Sequence, residues 1–398
     1  MSTASLVSAQ YLAIALAAVL SLSLLTGRTR ELTFLGLNVL FLGAVVFGPT
    51  QILPALLFCV TGYLMVQLVL RQPQWGFPAA LSTYVVLFIY LMDYDFLHWA
   101  LPEWSLRAGV LATVGLSFMF FKVIHTMVEA RSGTLGPVSV LQYANYCLNF
   151  SVYLMGPIQR YQDYRAQWTN EAAAIPETFE AHLDAVIRIL VGFLKAYVIA
   201  GMIQPFALAP GPDLMEIGRV ELLGQVVAFY FFLYFNFAGY CDVAIGVGSL
   251  LGVRPPENFD KPFMARNISD FWLRFHRSLT QWLTTYVFSP AYKWALEHPV
   301  LRSRPFLAAN GALVLTMLVS GLWHGTTLSF LLFGLVHGLF FLVFRSWEML
   351  ATRRFGGPWL RRWRARPLVH AASVLVTFTV VALSLVFFRL EAGDAVGV

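Results

Sequence analysis

Residues 317–330 read MLVSGLWHGTTLSF, inside forty residues (305–344) that contain no Asp, Glu, Lys or Arg. As one helix those forty residues would extend about 60 Å at 1.5 Å per residue, twice the hydrocarbon thickness of a bilayer. The stretch must therefore break. The predicted break is at Ser320–Thr327, where Gly321 and Gly325 relax the backbone. Two membrane helices then meet at a connection that carries one ionisable side chain, His324.

The rest of the chain agrees with that reading. Its 398 residues are 58% hydrophobic and 12% charged, with a mean hydropathy of +0.68. Soluble domains carry about 25% charged residues. The fold class expected is an all-α polytopic membrane protein. Apolar segments fall near 9–26, 33–48, 50–70, 77–92, 107–127, 138–156, 183–204, 219–250, 305–323, 326–344 and 368–388. That pattern predicts about ten to twelve membrane helices, with re-entrant or interfacial pieces where a run is short. The division expected is amino-terminal membrane helices over 1–104, a core over 105–390 and a tail over 391–398, all in one integral membrane domain. The run Tyr11–Thr26 follows a start with no basic residue, so a first membrane helix is expected there in place of a secretory signal.

Charge gives orientation and excludes one class of partner. The net charge is +6, but much of the excess lies in one loop. Residues 345–367 hold Arg345, Arg353, Arg354, Arg361, Arg362, Arg364 and Arg366 against Glu348 alone. Arg28, Arg30 and Arg71 fall in other short loops, and the loop 93–107 is acidic. The positive-inside rule places the arginine-rich loops in the cytoplasm and the amino terminus outside. A basic balance of this kind speaks for a membrane and not for nucleic acid. Cys59, Cys147 and Cys241 are far apart in apolar runs and read as packing residues.

One region is too polar to span and too aromatic to be an ordinary loop. Residues 254–304 mix Arg254, Asp260, Asp270, Arg274 and Arg277 with Phe259, Phe271, Trp272, Phe275 and Trp282. Such a stretch lines a cavity or is buried in protein at membrane depth. Within it, ISDFWLRFHRSLTQWL (268–283) reads as one helix. Trp272, His276, Thr280 and Leu283 would share a face, with Asp270 near its start as a cap.

The candidate chemistry rests on ionisable groups inside apolar runs, which are costly and usually functional. A neutral imidazole at His324 accepts a proton from a hydroxyl, which is general-base work. His276 is a second candidate. The run 229–252 adds Asn236, Tyr240 and Asp242, and Trp272, Trp323 and Arg274 flank the histidines. The competing readings are structural. His324 then only hydrogen-bonds a neighbouring helix, His276 snorkels from an interfacial helix, and Asp242 is a hydrogen-bonded break beside Gly239. His337, in the echo GLVHG (334–338) of GLWHG (321–325), reads as structural. No HExxH or CxxC spacing implies a metal.

Taken together, YFNFAGYCDVAIGVGSLLGVRPPENFDKPFMARNISDFWLRFHRSLTQWLTTYVFSP (234–290), GLWHG, GLSFMFFKVIHTMVEARSG (115–133) and YLMGPIQRYQDY (153–164) resemble the membrane-bound O-acyltransferase family. The likeness covers roughly 105–390 and is to the bacterial polysaccharide-acylating branch, which serves alginate O-acetylation and teichoic-acid D-alanylation. The resemblance implies a rim of helices with funnels approaching a central histidine. It implies His324 as the catalytic residue and His276 as the second important position. Asn236, Tyr240, Asp242, Trp272, Trp323 and Arg274 would line the substrate path. It also implies no permanently bound cofactor. An acyl thioester donor, acyl-CoA or an acyl-phosphopantetheine carrier protein, would serve as substrate, with acetyl as the default group. Implied partners are an extracytoplasmic polysaccharide and a periplasmic or surface acyltransferase, or a cytoplasmic carrier protein. The implied location is the bacterial cytoplasmic membrane. Relatives commonly carry a further apolar helix after a motif like VFFRLEAGDAVGV (386–398). The rival readings are a proton-coupled transporter or flippase, with Asp242, His276 and His324 as relay, and a structural scaffold for an envelope complex.

Overall fold

Apolar runs with few charges close their own backbone hydrogen bonds as helices, because a bilayer interior offers no water to satisfy them. The computed structural model describes residues 9–46, 48–92, 115–169, 178–209 and 217–390. Among these residues no strand occurs. The α-helices longer than one turn are α1 (Ala9–Leu22), α2 (Gly27–Phe41), α3 (Gly48–Arg71), α4 (Gly76–Leu91), α5 (Leu116–Arg131), α6 (Val140–Leu148), α7 (Tyr161–Thr169) and α8 (Phe179–Phe193). They continue as α9 (Arg219–Leu250), α10 (Ile268–Trp272), α11 (Arg277–Leu283), α12 (Ser289–Glu297), α13 (Pro305–His324), α14 (Leu328–Phe355), α15 (Gly357–Arg364) and α16 (Pro367–Ser384). The protein is an all-α polytopic membrane protein. Six helical stretches are long and apolar enough to cross a bilayer: Ile52–Arg71, Phe179–Phe206, Arg219–Leu250, Pro305–His324, Leu328–Phe355 and Pro367–Phe388. Gln10–Leu22 and Gly76–Leu91 are shorter apolar helices.

Two expectations need correction. The run 138–156 is not one spanning helix. It stops at Leu148 and continues as turns. Its asparagines engage one distant and one local partner. Asn145 Nδ2 donates to the Glu31 carbonyl at 2.9 Å, and the Asn149 carboxamide accepts from the Ser151 hydroxyl at 2.8 Å. Nor is 268–283 one helix, because α10 ends at Trp272 and α11 starts at Arg277. The cap of α10 is Asn267, whose side chain accepts from the Asp270 N–H, so Asp270 lies inside the first turn. The acidic loop 93–107 and the tail 391–398 lie outside the described residues, as does the start of the 107–127 segment.

The chain forms two compact units. One contains the stretch up to Leu194 with Gly239–Pro256, and the other contains Lys195–Ala238 with the chain from Glu257 onward. In the first unit, Tyr143, Tyr146, Tyr161 and Tyr164 are fully enclosed around α5, α6 and α7. Two cations are buried with them. Lys122 Nζ donates to the Tyr146 carbonyl at 2.8 Å. Arg30, read from sequence as a loop cation, is only 1% exposed. Its guanidinium lies 4.5 Å over Trp168 and donates to the Leu251 carbonyl at 3.1 Å, just past the end of α9. Cys59, Cys147 and Cys241 are buried, and none forms a disulfide among the described residues.

The second unit is built on the hairpin α13–α14. The predicted break falls at Gly325–Thr327, as the sequence required. The two helices run antiparallel and touch backbone to backbone. A side chain at Gly321 would collide with the Phe330 carbonyl, and one at Gly334 with the Met317 carbonyl. These glycines are the GLWHG and GLVHG echo seen in the sequence. Around the hairpin a core gathers Phe229, Tyr230, Ile268, Phe271, Trp272, Met317, Phe333, Phe341 and Leu385. After α16 the chain tightens into a 3-10 turn, Leu385–Phe388, which packs against α14.

Candidate functional site

The break between α13 and α14 leaves His324 as the last residue of α13, half-buried among rings. Its centroid lies 4.4 Å from Trp323, 4.7 Å from Phe388, 6.0 Å from Phe330 and 6.2 Å from Phe333. Neither imidazole nitrogen has a hydrogen-bond partner among the described residues. Two hydroxyls frame the same position. Ser320 Oγ, one turn earlier on α13, and Thr327 Oγ1, in the break, are enclosed and also lack a hydrogen-bond partner among the described residues.

His276 is the junction between α10 and α11 and is 4% exposed. Its backbone is left-handed, with φ 48° and ψ 51°. Only Lys261 shares positive φ among the described non-glycine residues. Such a conformation costs energy and persists only when the surroundings impose it. Asn258 imposes it here. The Asn258 carbonyl accepts from the Arg277 N–H at 2.9 Å. Its side-chain oxygen accepts from the Ser278 N–H at 3.0 Å and the Ser278 hydroxyl at 2.9 Å, and lies 3.4 Å from His276 Nδ1. The Phe237 ring stands edge-on at 4.8 Å, and Trp323 lies 6.2 Å away, next to His324. Burial, and then the proximity of His324, pull the His276 pKa down to about 3. The ring is therefore neutral at ordinary pH.

His337 belongs to a different network. Trp272 Nε1–H donates to its Nδ1 at 3.2 Å, and its Nε2 lies 2.8 Å from Ser384 Oγ. The Ser384 hydroxyl donates to the Val381 carbonyl at 2.7 Å, so it accepts from His337. This fixes a neutral tautomer with the proton on Nε2. Both nitrogens are used, so the ring positions Trp272 and has no capacity left for a substrate proton.

The remaining candidates separate. Arg274 Nε donates to Asp270 Oδ1 at 2.7 Å, and its Nη1 donates to the Asp260 carbonyl at 3.2 Å. Burial alone would raise the Asp270 carboxyl, but hydrogen bonds from Arg274 and Arg266 outweigh it and hold the pKa below the usual range. Arg274 thus ties down the loop before His276. Asn236 is half-buried on α9 beside Phe237. Tyr240 and Asp242 belong to the first unit. Tyr240 lines a small apolar cavity there with Tyr11, Phe150 and Phe193. Asp242 Oδ1 accepts from Arg188 Nε at 3.1 Å and Nη2 at 3.0 Å. The Arg188–Asp242 ion pair thus lies within the first unit and apart from the histidines of the second. No group of three His, Cys, Asp or Glu side chains suited to a metal occurs among the described residues.

Sequence reasoning missed Asn258, Arg188, Ser384 and the ring of Phe330, Phe333 and Phe388. The repeated GLxHG pattern was the one signal that could have paired His337 with the hairpin.

Comparison with known proteins supplies the frame for this geometry. The chain is 32% identical over 250 residues to the teichoic acid D-alanyltransferase of Bacillus subtilis (strain 168), covering 60% of each protein. It is 29% identical over 289 residues to the probable alginate O-acetylase AlgI of Azotobacter vinelandii, covering 71% of this chain and 52% of that protein. It is 30% identical over 251 residues to the peptidoglycan O-acetyltransferase of Helicobacter pylori, covering 63% and 44%. The matches thus span between 44% and 60% of the length of these three relatives. The pattern of MBOAT, the membrane-bound O-acyltransferase family, matches residues 39–387 and so takes in α13, α14 and both central histidines. The chain belongs to the membrane-bound O-acyltransferase family.

Proposed function

We propose that the chain is an O-acyltransferase. It moves a short acyl group, acetyl by preference, from a cytoplasmic thioester donor to a hydroxyl of an extracytoplasmic polysaccharide or a partner protein. The observation that carries this reading is the half-buried imidazole of His324, whose nitrogens meet no hydrogen-bond partner among the described residues. Family membership and the relatives' names, which all describe acyl transfer to envelope polymers or acetylation, support it.

His324 accepts the proton of the acceptor hydroxyl as the oxygen attacks the thioester carbonyl. The tetrahedral oxyanion needs donors, and the Ser320 and Thr327 hydroxyls are suited to that task. Collapse breaks the carbon–sulfur bond, and the imidazolium returns its proton to the departing thiolate. The carbonyl end of α13 favours the transient positive charge. Trp323, Phe330, Phe333 and Phe388 exclude water, which would otherwise compete as acceptor. His276, held by Asn258 beside Trp323, orients donor or acceptor. The donor is acyl-CoA or an acyl-phosphopantetheine carrier protein, approaching from the arginine-rich end in the bacterial cytoplasmic membrane.

Envelope polymers from cells with and without the protein, compared by mass spectrometry, test this reading. A mass difference of one acyl group on a polysaccharide supports it and names the group. Identical polymers, together with no transfer of labelled acyl groups by the purified protein, would overturn it.

A further inference from the structure

Arg389 carries a guanidinium with no counter-charge among the described residues. It follows the turn Leu385–Phe388 and lies 4.3 Å over the Phe229 ring. The residue is half-buried, and its Nε is enclosed without a hydrogen-bond acceptor. Burial holds its pKa below the ordinary arginine value. Three other arginines of the same unit have a carboxylate partner: Arg266 and Arg274 share Asp270, and Arg364 meets Glu348. An enclosed Nε–H without an acceptor carries a cost that an incoming acceptor group would relieve.

The position of Arg389 says what would answer it. Its neighbour Phe388 touches the His324 ring at 4.7 Å. The helical stretch Pro367–Phe388 has 22 residues, so Arg389 lies about 33 Å from the arginine-rich α15 along the helix axis. An acceptor that enters from the face opposite α15 meets this end of the helices first. The acceptor must bring its hydroxyl to His324 and therefore passes this residue. The planar fork of a guanidinium matches phosphate and carboxylate oxygens. We propose that Arg389 binds an anionic group, phosphate or carboxylate, of the acceptor polymer, on the face opposite α15. The proposal rests on His324 as the site of acyl transfer.

Phenylglyoxal labelling of the full chain in phosphatidylcholine nanodiscs, read by peptide mass spectrometry, tests anion binding without activity. Either sn-glycerol 3-phosphate or glucuronate is expected to slow labelling of Arg389 several-fold and to leave exposed Arg353 unchanged. The protecting anion identifies the acceptor's charge. In transfer assays, Arg389→Gln is expected to raise the KM for the anionic acceptor about tenfold. Arg389→Lys restores part of that loss, and the donor KM moves less. Three results would overturn the proposal. One is a transferring enzyme in which neither anion protects Arg389. Another is an effect of Arg389→Gln on donor KM alone. The third is an Arg389 that becomes reactive only after Glu391→Gln or Asp394→Asn, which would mean an internal pair. Protection of Arg389 in a protein that transfers no acyl group would instead count against the acyltransfer reading and leave the anion site standing.

Discussion

His324 differs from the other enclosed histidines in what its nitrogens touch. His337 donates to Ser384 and accepts from Trp272, and His125 Nε2 contacts Gln162 Oε1 at 3.0 Å and accepts from the Tyr161 N–H at 3.1 Å. His276 leans on Asn258. Asn258→Ala removes the acceptor for two Ser278 donors. It should lower stability by about 1–3 kcal/mol and release the left-handed turn. Thermal unfolding in detergent and the transfer rate, measured together, check this, and unchanged values in both would tell against the role given to Asn258. The neutral state of His276 also sets a pH dependence. Its folded pKa, about 3, lies below the unfolded value. The unfolded chain therefore binds the proton first, and stability is lost as pH falls below about 6.5 towards the folded pKa. Lowering the pH from about 7 to about 4 should reduce the unfolding temperature, and His276→Gln should flatten that slope. His324 and His337 stood out in the sequence because ionisable residues are conspicuous in apolar runs, and His276 and Trp272 because charge and aromatic rings are mixed around them. Their partners did not. Trp272 and His337 are 65 positions apart, and His276 and Asn258 are 18 apart. No local periodicity connects residues at such separations.

At the scale of elements, the hairpin α13–α14 was legible because length forces it. Forty uncharged residues cannot cross once. The break at Gly325–Thr327 followed from glycine, and the echo of GLWHG in GLVHG marks where the two backbones meet. Gly334→Val would press against the Met317 carbonyl and should cost about 1–3 kcal/mol, with a matching fall in unfolding temperature. A variant as stable as the wild type would mean the helices separate more easily than their packing implies. The polar stretch 254–304 was read correctly as non-spanning but wrongly as a long helix near His276. Periodicity placed Trp272 and His276 on one face, whereas Asn258 reaches back from 18 residues away and stops the helix there. Long-range hydrogen bonding overrode a local pattern. The run 138–156 failed for a similar reason. It has the hydropathy of a span, but its asparagines engage local and distant partners, so it turns after Leu148.

Across the whole molecule, charge has a direction. Arg353, Arg354, Arg361, Arg362 and Arg366 are exposed at the α15 end of α14 and α16, while His324 and Phe388 mark the other end of the same helices. The function proposed here requires donor and acceptor to approach from opposite sides. In proteoliposomes with the chain in one orientation, acyl-CoA on the α15 side should support transfer to acceptor on the His324 side. The reverse arrangement should fall to background. Equal transfer from both arrangements would contradict the sidedness assigned to the chain. The most direct test of the account is the transfer rate of labelled acetyl groups by purified wild type, His324→Ala and His337→Ala, each checked for helicity. Loss of the general base predicts a fall of about 10²–10⁴-fold for His324→Ala. His337→Ala should lose stability but keep far more of its turnover. Wild-type turnover in His324→Ala would contradict the claim that this imidazole takes the acceptor's proton.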